Sequence, residues 1–327
     1  MRAWGFKANG GPEVFEWIER PTPQPGPGQV LIEVGHAGLN FAEVQHRRGE
    51  FGAPDGADGY DVPGLEVAGT IAAVGDGVGG LAVGDAVAAY LPSFGGYAEH
   101  VLAEAAFTRR TDGLPSAVAA GVPCVYPTAY GVLFDAARLT AGETVLIHAA
   151  TGGVGSAAAR VARLAGAAAV FGTVGSPGKQ ALAAELGYDA LFRREDFGDV
   201  LLDATSGRGV DIVLDPVGGR VRRQSLDVLA PFGRVVVYGD LARDPDWTVD
   251  AWDLWKHNKS LAGYSIRDLS RRDPARLGDY LARALAELAS GELRHERPTV
   301  APVADVRDVH RRFEGGDTSG KTVFSFA

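Results

Sequence analysis

Apolar positions follow two different rhythms along the chain. Between residues 28 and 105 they fall in short runs, Val30 to Val34, Val67 to Val74, Asp85 to Tyr90 and Ala98 to Leu102, separated by turn signals such as Gly75-Asp76-Gly77 and Gly95-Gly96. Short runs with this punctuation predict the strands of a β-rich, barrel-like domain. A stiff proline-rich connection, Pro21 to Gly28, sits between two strand-like runs. From Glu143 the rhythm changes. A strand-like run, Thr144 to His148, enters a Gly-rich turn and then an Ala-rich stretch with helical spacing. Ala169 to Val174, Asp211 to Asp215 and Arg234 to Gly239 read as further buried strands, with helices expected over Ser176 to Leu186 and Val221 to Leu229. Pro177 and Gly187 bracket the first of these helices as start and stop. Strands alternating with helices predict an α/β, doubly wound parallel sheet. After about residue 256 strand-like runs resume around one long helix pattern, Pro274 to Ala289, and the chain ends in a strand from Lys321 to Phe326. The expected organisation is a nucleotide domain over residues 119–256 inserted into a β-rich domain made of 1–118 and 257–327, with the cleft between them as the site.

The turn itself, Ala150-Thr151-Gly152-Gly153-Val154-Gly155, has the form that holds a dinucleotide pyrophosphate. Gly152 lets backbone approach the phosphates, Gly155 lets helix and strand pack closely, and the helix start offers N–H donors. Ala150 stands where the usual pattern has its first glycine. An NAD site ends its second strand with a carboxylate for the ribose hydroxyls. Here the strand runs into Thr173-Val174-Gly175-Ser176-Pro177-Gly178-Lys179, and Arg193 and Arg194 follow one strand later. A neutral tip with nearby cations suits a 2′-phosphate, so the expected cofactor is NADPH. The alternative is that Lys179 is an ordinary solvated helix residue.

Composition narrows the partners. With 327 residues and 46% hydrophobic content, the chain can fill two cores. A net charge of −9, with no basic block, argues against nucleic acid. No apolar run is long enough to span a bilayer, and the Met1-Arg2-Ala3-Trp4-Gly5 start lacks a signal-peptide core, so a cytoplasmic protein is expected. The single cysteine, Cys124, allows no internal disulfide and reads as a buried small hydrophobe.

Six segments together resemble one family: Gly38-Leu39-Asn40-Phe41, Pro63 to Gly69 (PGLEVAG), Thr128-Ala129-Tyr130, His148 to Gly155, Asp215-Pro216-Val217-Gly218-Gly219 and Gly320-Lys321-Thr322-Val323. In this order the chain resembles the zinc-free quinone oxidoreductase (zeta-crystallin-like) branch of the medium-chain dehydrogenase/reductase superfamily. The resemblance implies a GroES-like catalytic domain, NADPH as hydride donor, and a homodimer. It places Asn40 beside nicotinamide and substrate, Thr128 at the nicotinamide end and Tyr238-Gly239 at the cofactor slot. Gly152, Gly153, Val154 and Gly155 fall at the pyrophosphate, Ser176, Lys179 and Arg193 at the adenosine phosphate, and Val217 and Lys321 along the cofactor. The zinc-binding branch has a Gly-His-Glu segment and a ligand cysteine. This chain has Gly64-Leu65-Glu66, and the cysteine position falls near Asn40. None of the seven histidines (36, 46, 100, 148, 257, 295 and 310) shows ligand spacing. No metal is expected.

Without a metal, the small-molecule electron acceptor must take hydride readily, as a quinone or an alkene conjugated to a carbonyl does. The protein's tasks are then to align the reactants, exclude water and stabilise the developing oxyanion. Asn40 is the candidate for that last task, the alternative being a turn residue that caps its own backbone. Enoyl-thioester reductases of the superfamily often carry a Tyr after the Gly at position 49 as acid. Here Gly49-Glu50-Phe51 has no proton there, leaving His46 and Tyr60 as nearby donors. Three readings remain open: an NADPH:quinone or enone reductase, an enoyl-thioester or polyketide-intermediate reductase, and an NADPH-binding protein with vestigial activity.

Overall fold

The computed structural model describes every residue except Ala57, His295, Glu296 and Ala327, so the reading of His295 lies outside the described residues. The chain divides into two compact units, Met1–Pro127 with Arg267–Ala327, and Thr128–Ile266.

The first unit opens with a two-stranded antiparallel ribbon, β1 (Arg2–Gly5) and β2 (Glu16–Glu19). Next come β3 (Gln29–Leu39), helix α1 (Phe41–Arg47), β4 (Glu66–Val74), β5 (Ala86–Tyr90), β6 (His100–Glu104) and β7 (Thr108–Arg110). Two register shifts in the β3–β4 pairing, between Leu31 and Ile32 and between Val34 and His36, bend this sheet. Such bulges give a barrel-like domain its curvature. Helices α2 (Ser116–Ala119) and α3 (Val125–Tyr130) follow, with α2 against β3, β4 and β5. The core gathers Phe6, Phe15, Ile32, Ile71 and Tyr97.

The second unit is the α/β part. Its elements are β8 (Thr144–Ile147), α4 (Gly153–Leu164), β9 (Ala169–Val174), α5 (Ala183–Leu186), β10 (Ala190–Arg193), α6 (Phe197–Ala204), β11 (Val210–Asp215), α7 (Gly219–Asp227), β12 (Leu229–Val237), α8 (Ala251–His257) and β13 (Ser260–Gly263). The strands pair in the order β10-β9-β8-β11-β12-β13, every pair parallel. That is the doubly wound sheet the pattern predicts, reversing direction beside β8. All six residues of β11 are buried, as a strand covered on both faces requires.

The chain then returns to the first unit through α9 (Ile266–Arg272), α10 (Pro274–Ser290), β14 (Thr299–Pro302), α11 (Val306–Glu314) and β15 (Thr322–Ser325). β15 pairs antiparallel with β3 and parallel with β14, so the last strand closes on the first long one.

Two expectations need correction. The inserted segment is 128–266, not 119–256: residues 119–127 stay with the β-rich unit, and residues 260–263 add the sixth strand to the parallel sheet. The helix expected over 176–186 is a 3₁₀ segment, Pro177–Leu182, running into the short α5, with Gly187 in the left-handed conformation at its end. Pro177 suits a helix start, but Gly178 directly after it weakens the first turn of an α-helix there. Among the described residues no helix is long and apolar enough to cross a membrane.

Candidate active site

In the α/β unit, the groups that could meet a cofactor gather at the carboxyl ends of β8, β9, β11 and β12. After β8 the chain turns through Ala149, whose φ of 54° is left-handed, and reaches Gly152 at the N-cap of α4. A Cβ on Gly155 would lie 2.6 Å from the Ala149 carbonyl oxygen and 2.8 Å from that of Ala150, so only glycine lets α4 seat on the turn. The Tyr188 hydroxyl donates to Ala150 O at 3.0 Å and Gly155 O at 2.8 Å, pinning the turn from below. Among the described residues, the N–H groups of Gly153, Val154 and Gly155 have no backbone or side-chain acceptor. Three free donors at the positive end of a twelve-residue helix form an anion cradle that fits a pyrophosphate.

The tip of β9 carries exposed Ser176, and Lys179 is half-buried in the 3₁₀ segment beyond it. Arg193 turns away into an ion pair with Glu195 at 2.7 Å. Arg194, by contrast, brings its guanidinium 3.7 Å from where a Cβ on Gly175 would sit, and its buried Nε has no partner. Burial lowers the Arg194 pKa, and the Asp215 carboxylate partly offsets this. An unsatisfied guanidinium beside the tip of β9 suits an adenosine 2′-phosphate better than Arg193 does.

The Asp215 to Gly219 segment builds the neighbouring turn. Buried Asp215 accepts from the N–H groups of Val217 (2.7 Å) and Gly218 (3.0 Å), and from Arg222 Nε at 2.7 Å. Arg222 also donates to Gly239 O at 2.8 Å. One buried ion pair thus ties the turn after β11 to the Tyr238-Gly239 turn after β12. Burial, with the Asp215 charge adding to it, pushes the Tyr238 hydroxyl far up, so it stays protonated. Thr128 is buried on α3. His148 is fully buried between Thr173 Oγ1 (2.7 Å) and Ser225 Oγ (2.8 Å) and belongs to the core.

In the β-rich unit, Asn40 is the N-cap of α1, so the capping alternative holds, but its side chain does more than cap. Asn40 Nδ2 donates to Glu66 Oε1 at 2.9 Å, and Asn40 Oδ1 accepts from Lys321 Nζ at 2.7 Å. Lys321 also donates to Leu39 O at 2.8 Å and pairs with Glu66. The other Glu66 oxygen accepts from the Cys124 N–H at 2.7 Å. Glu43, wholly buried, accepts from Asn40 N–H at 2.7 Å and Leu65 N–H at 2.9 Å. Burial raises the Glu43 carboxyl to about 7, with Lys321 opposing the shift. Glu43 and Glu66 were absent from the expected site. The Asn-x-x-Glu spacing of a capping box signals the first, and a lone carboxylate in the apolar run Leu65 to Gly69 signals the second, since a buried charge demands a partner.

A zinc ion does not fit these residues. Leu65 offers no lone pair, and the Lys321 ammonium already stands against Glu66 where a cation would have to sit. Burial and the Glu66 charge also push the Cys124 thiol well up, away from the thiolate that zinc needs.

His46 and Tyr60 are not brought together as acids. The Tyr60 hydroxyl donates to Glu16 Oε2 at 2.9 Å, with Lys7 Nζ at 3.5 Å, in a charged group beside β1 and β2. His46 Nε2 meets Asp61 Oδ2 at 2.8 Å, and its ring stacks on Phe94 at 4.1 Å. Burial lowers the His46 pKa despite Asp61, so the ring is neutral at pH 7 and its one N–H is the one held by Asp61. Asp61 also accepts from the N–H groups of Asp55 and Gly56.

Comparisons with known proteins agree with this architecture. Residues 26–112 match the alcohol dehydrogenase GroES-like domain, and residues 153–283 match the zinc-binding dehydrogenase family. A quinone oxidoreductase of Pseudomonas syringae pv. Tomato is 30% identical, with a TM-score of 0.90 over 99% of both chains. A mycobacterial protein solved in complex with NADPH is also 30% identical, with a TM-score of 0.89 over 99% of both chains. Among curated proteins, a phenolphthiocerol/phthiocerol polyketide synthase of Mycobacterium tuberculosis is 34% identical over 94% of this chain, which spans only 14% of that protein's length. The two-domain order, the parallel sheet and full-length likeness at this identity place the chain in the medium-chain dehydrogenase/reductase superfamily, as an oxidoreductase of its quinone oxidoreductase branch.

Proposed function

We propose that the protein is an NADPH-dependent, zinc-independent reductase acting on a quinone or a small conjugated enone. When bound, NADPH supplies the hydride. The N–H groups of Gly153, Val154 and Gly155 hold its pyrophosphate, and Arg194 with Lys179 meets its 2′-phosphate. Asn40 places an amide N–H at the acceptor oxygen, where negative charge develops. The observation that carries the choice of acceptor is the absence of a free acid in the pair singled out for that role. The His46 N–H is held by Asp61, and the Tyr60 hydroxyl by Glu16. A quinone tolerates this, because its oxyanions take protons from water, whereas the carbon of an enoyl thioester needs a placed donor.

The polyketide synthase relatives favour a second reading, reduction of an enoyl thioester. One experiment separates the two: NADPH oxidation against quinones, small enones and enoyl thioesters in parallel, each with and without EDTA. Turnover of quinones and enones that ignores the chelator is expected. Turnover of thioesters alone would move the protein to the second reading. Tight NADPH binding with no oxidation by any acceptor would defeat both, and activity lost with EDTA and restored by zinc would overturn the metal-independent mechanism.

A further inference from the structure

The Lys321 ammonium has three N–H bonds and three protein acceptors, Leu39 O at 2.8 Å, Asn40 Oδ1 at 2.7 Å and Glu66 Oε1. Its stem lies against Gly121, where a Cβ would come 2.8 Å from Lys321 Cγ, and the residue is 8% exposed. No donor is left for a cofactor phosphate or carboxamide, so the cofactor-binding role expected from the resemblance does not suit this geometry.

The same contacts settle which way the Asn40 amide faces. Lysine only donates and a carboxylate only accepts, so Lys321 must meet Oδ1 and Glu66 must meet Nδ2. A flipped amide would set its NH₂ against the ammonium and its oxygen against the carboxylate. The backbone is held as well, because Glu43 binds the Asn40 N–H. One Nδ2 hydrogen then has no acceptor among the described residues. Lys321 also cancels the Glu66 charge, which would otherwise repel an oxyanion at that amide. Preorganised donors of this kind stabilise developing charge because nothing has to reorient during reaction.

We propose that Lys321 and Glu66 are positioning residues that fix the Asn40 amide with one N–H turned to the acceptor oxygen, and that Lys321 makes no contact with the cofactor. The proposal rests on the reading of Asn40 as the oxyanion donor. Its test is a mutant cycle of Lys321→Met, Asn40→Ala and the double variant, read as kcat for a quinone and as NADPH Kd by fluorescence titration. Lys321→Met should lower kcat by ~10-fold or more while leaving NADPH Kd within about twofold, and should lower kcat no further in the Asn40→Ala background. Lys321→Met leaves a buried carboxylate unpaired and could fail to fold. The neutral pair Lys321→Met/Glu66→Gln removes both charges, and the same kcat loss at unchanged Kd is expected of it. Losses that multiply in the Asn40→Ala background, or an NADPH Kd raised about tenfold in either variant, would overturn the positioning role while the functional reading stands. A wild-type protein that binds NADPH yet reduces no acceptor would defeat the functional reading, and this proposal with it.

Discussion

Two adjacent arginines at the end of β10 show how much a single residue's surroundings decide. Arg193 and Arg194 read alike in the sequence, and Arg193 was the expected phosphate ligand. Successive side chains at a strand end point to opposite sides, and sequence alone does not say which side the cofactor occupies. In the fold Arg193 is paired with Glu195, while Arg194 lies beside Gly175 with its Nε unsatisfied. Arg194→Leu should therefore weaken NADPH binding by ~1–3 kcal/mol, the range of a charge-assisted contact, and leave NADH binding nearly unchanged. Arg193→Ala should alter either by less than ~1 kcal/mol, as for an exposed ion pair. Fluorescence titration of the four combinations decides it. Equal losses for both cofactors, or a larger effect at Arg193, would remove Arg194 from the phosphate site. The same limit explains Glu43, Glu66 and Lys321. Each is visible in the sequence as a charge, but the pairing of Lys321 with residues 281 and 282 positions away depends on β15 closing against β3.

At the scale of elements, the strand, turn and helix from β8 to α4 were legible because their chemistry is local. Val145 to Ile147 are buried, Gly155 is required by contact, and the alternation of strands and helices gives the parallel sheet. Helix α6 had no strong signal and went unread. Its apolar residues Phe197 and Leu201 reveal themselves only when buried against the core of the sheet. The turn carries one local violation, Ala149 at a φ of 54°. A left-handed conformation costs a residue with a Cβ ~1–2 kcal/mol, whereas glycine adopts it freely. Ala149→Gly removes that cost but adds roughly 0.4–1 kcal/mol of unfolded-chain entropy. The balance runs from about zero to about 1.6 kcal/mol in favour of the variant, read in urea unfolding midpoints at constant m. A destabilised Ala149→Gly protein would mean that the Cβ makes packing contacts worth more than the strain.

For the whole molecule, the inserted order of the two units was readable from the change in hydrophobic rhythm, and its boundaries were not, because residues 119–127 and 260–263 are assigned by packing partners. Both units bury titratable groups, and their balance predicts how stability responds to acid. Burial lowers His148 to about 4, a shift the Asp215 charge opposes, and lowers His310 to about 3, a shift the Arg47 charge reinforces. Unfolded histidine titrates near ~6.5, so the stability gained by keeping both rings neutral is full above that value and is lost as pH falls below it. Glu43 works in the opposite sense. Its folded value of about 7 lies above the unfolded one, so the folded protein takes up that proton first and gains stability on acidification. Between pH 6.5 and 4.5 the unfolded chain thus binds two of these protons and the folded chain one. Stability should fall by about 1.4 kcal/mol per pH unit across that window. Burial lowers His36 and His46 as well, which steepens the loss. Urea midpoints measured from pH 7.5 to 5 test the direction, and His310→Phe tests the cause. That ring packs against Phe15 at 4.8 Å and Phe324 at 6.3 Å, so phenylalanine keeps the aromatic contacts and removes one proton site. The variant should lose stability more slowly with acid than the wild type. An identical slope would show that His310 is already charged in the folded protein, and the balance of protons drawn from the buried groups would be wrong.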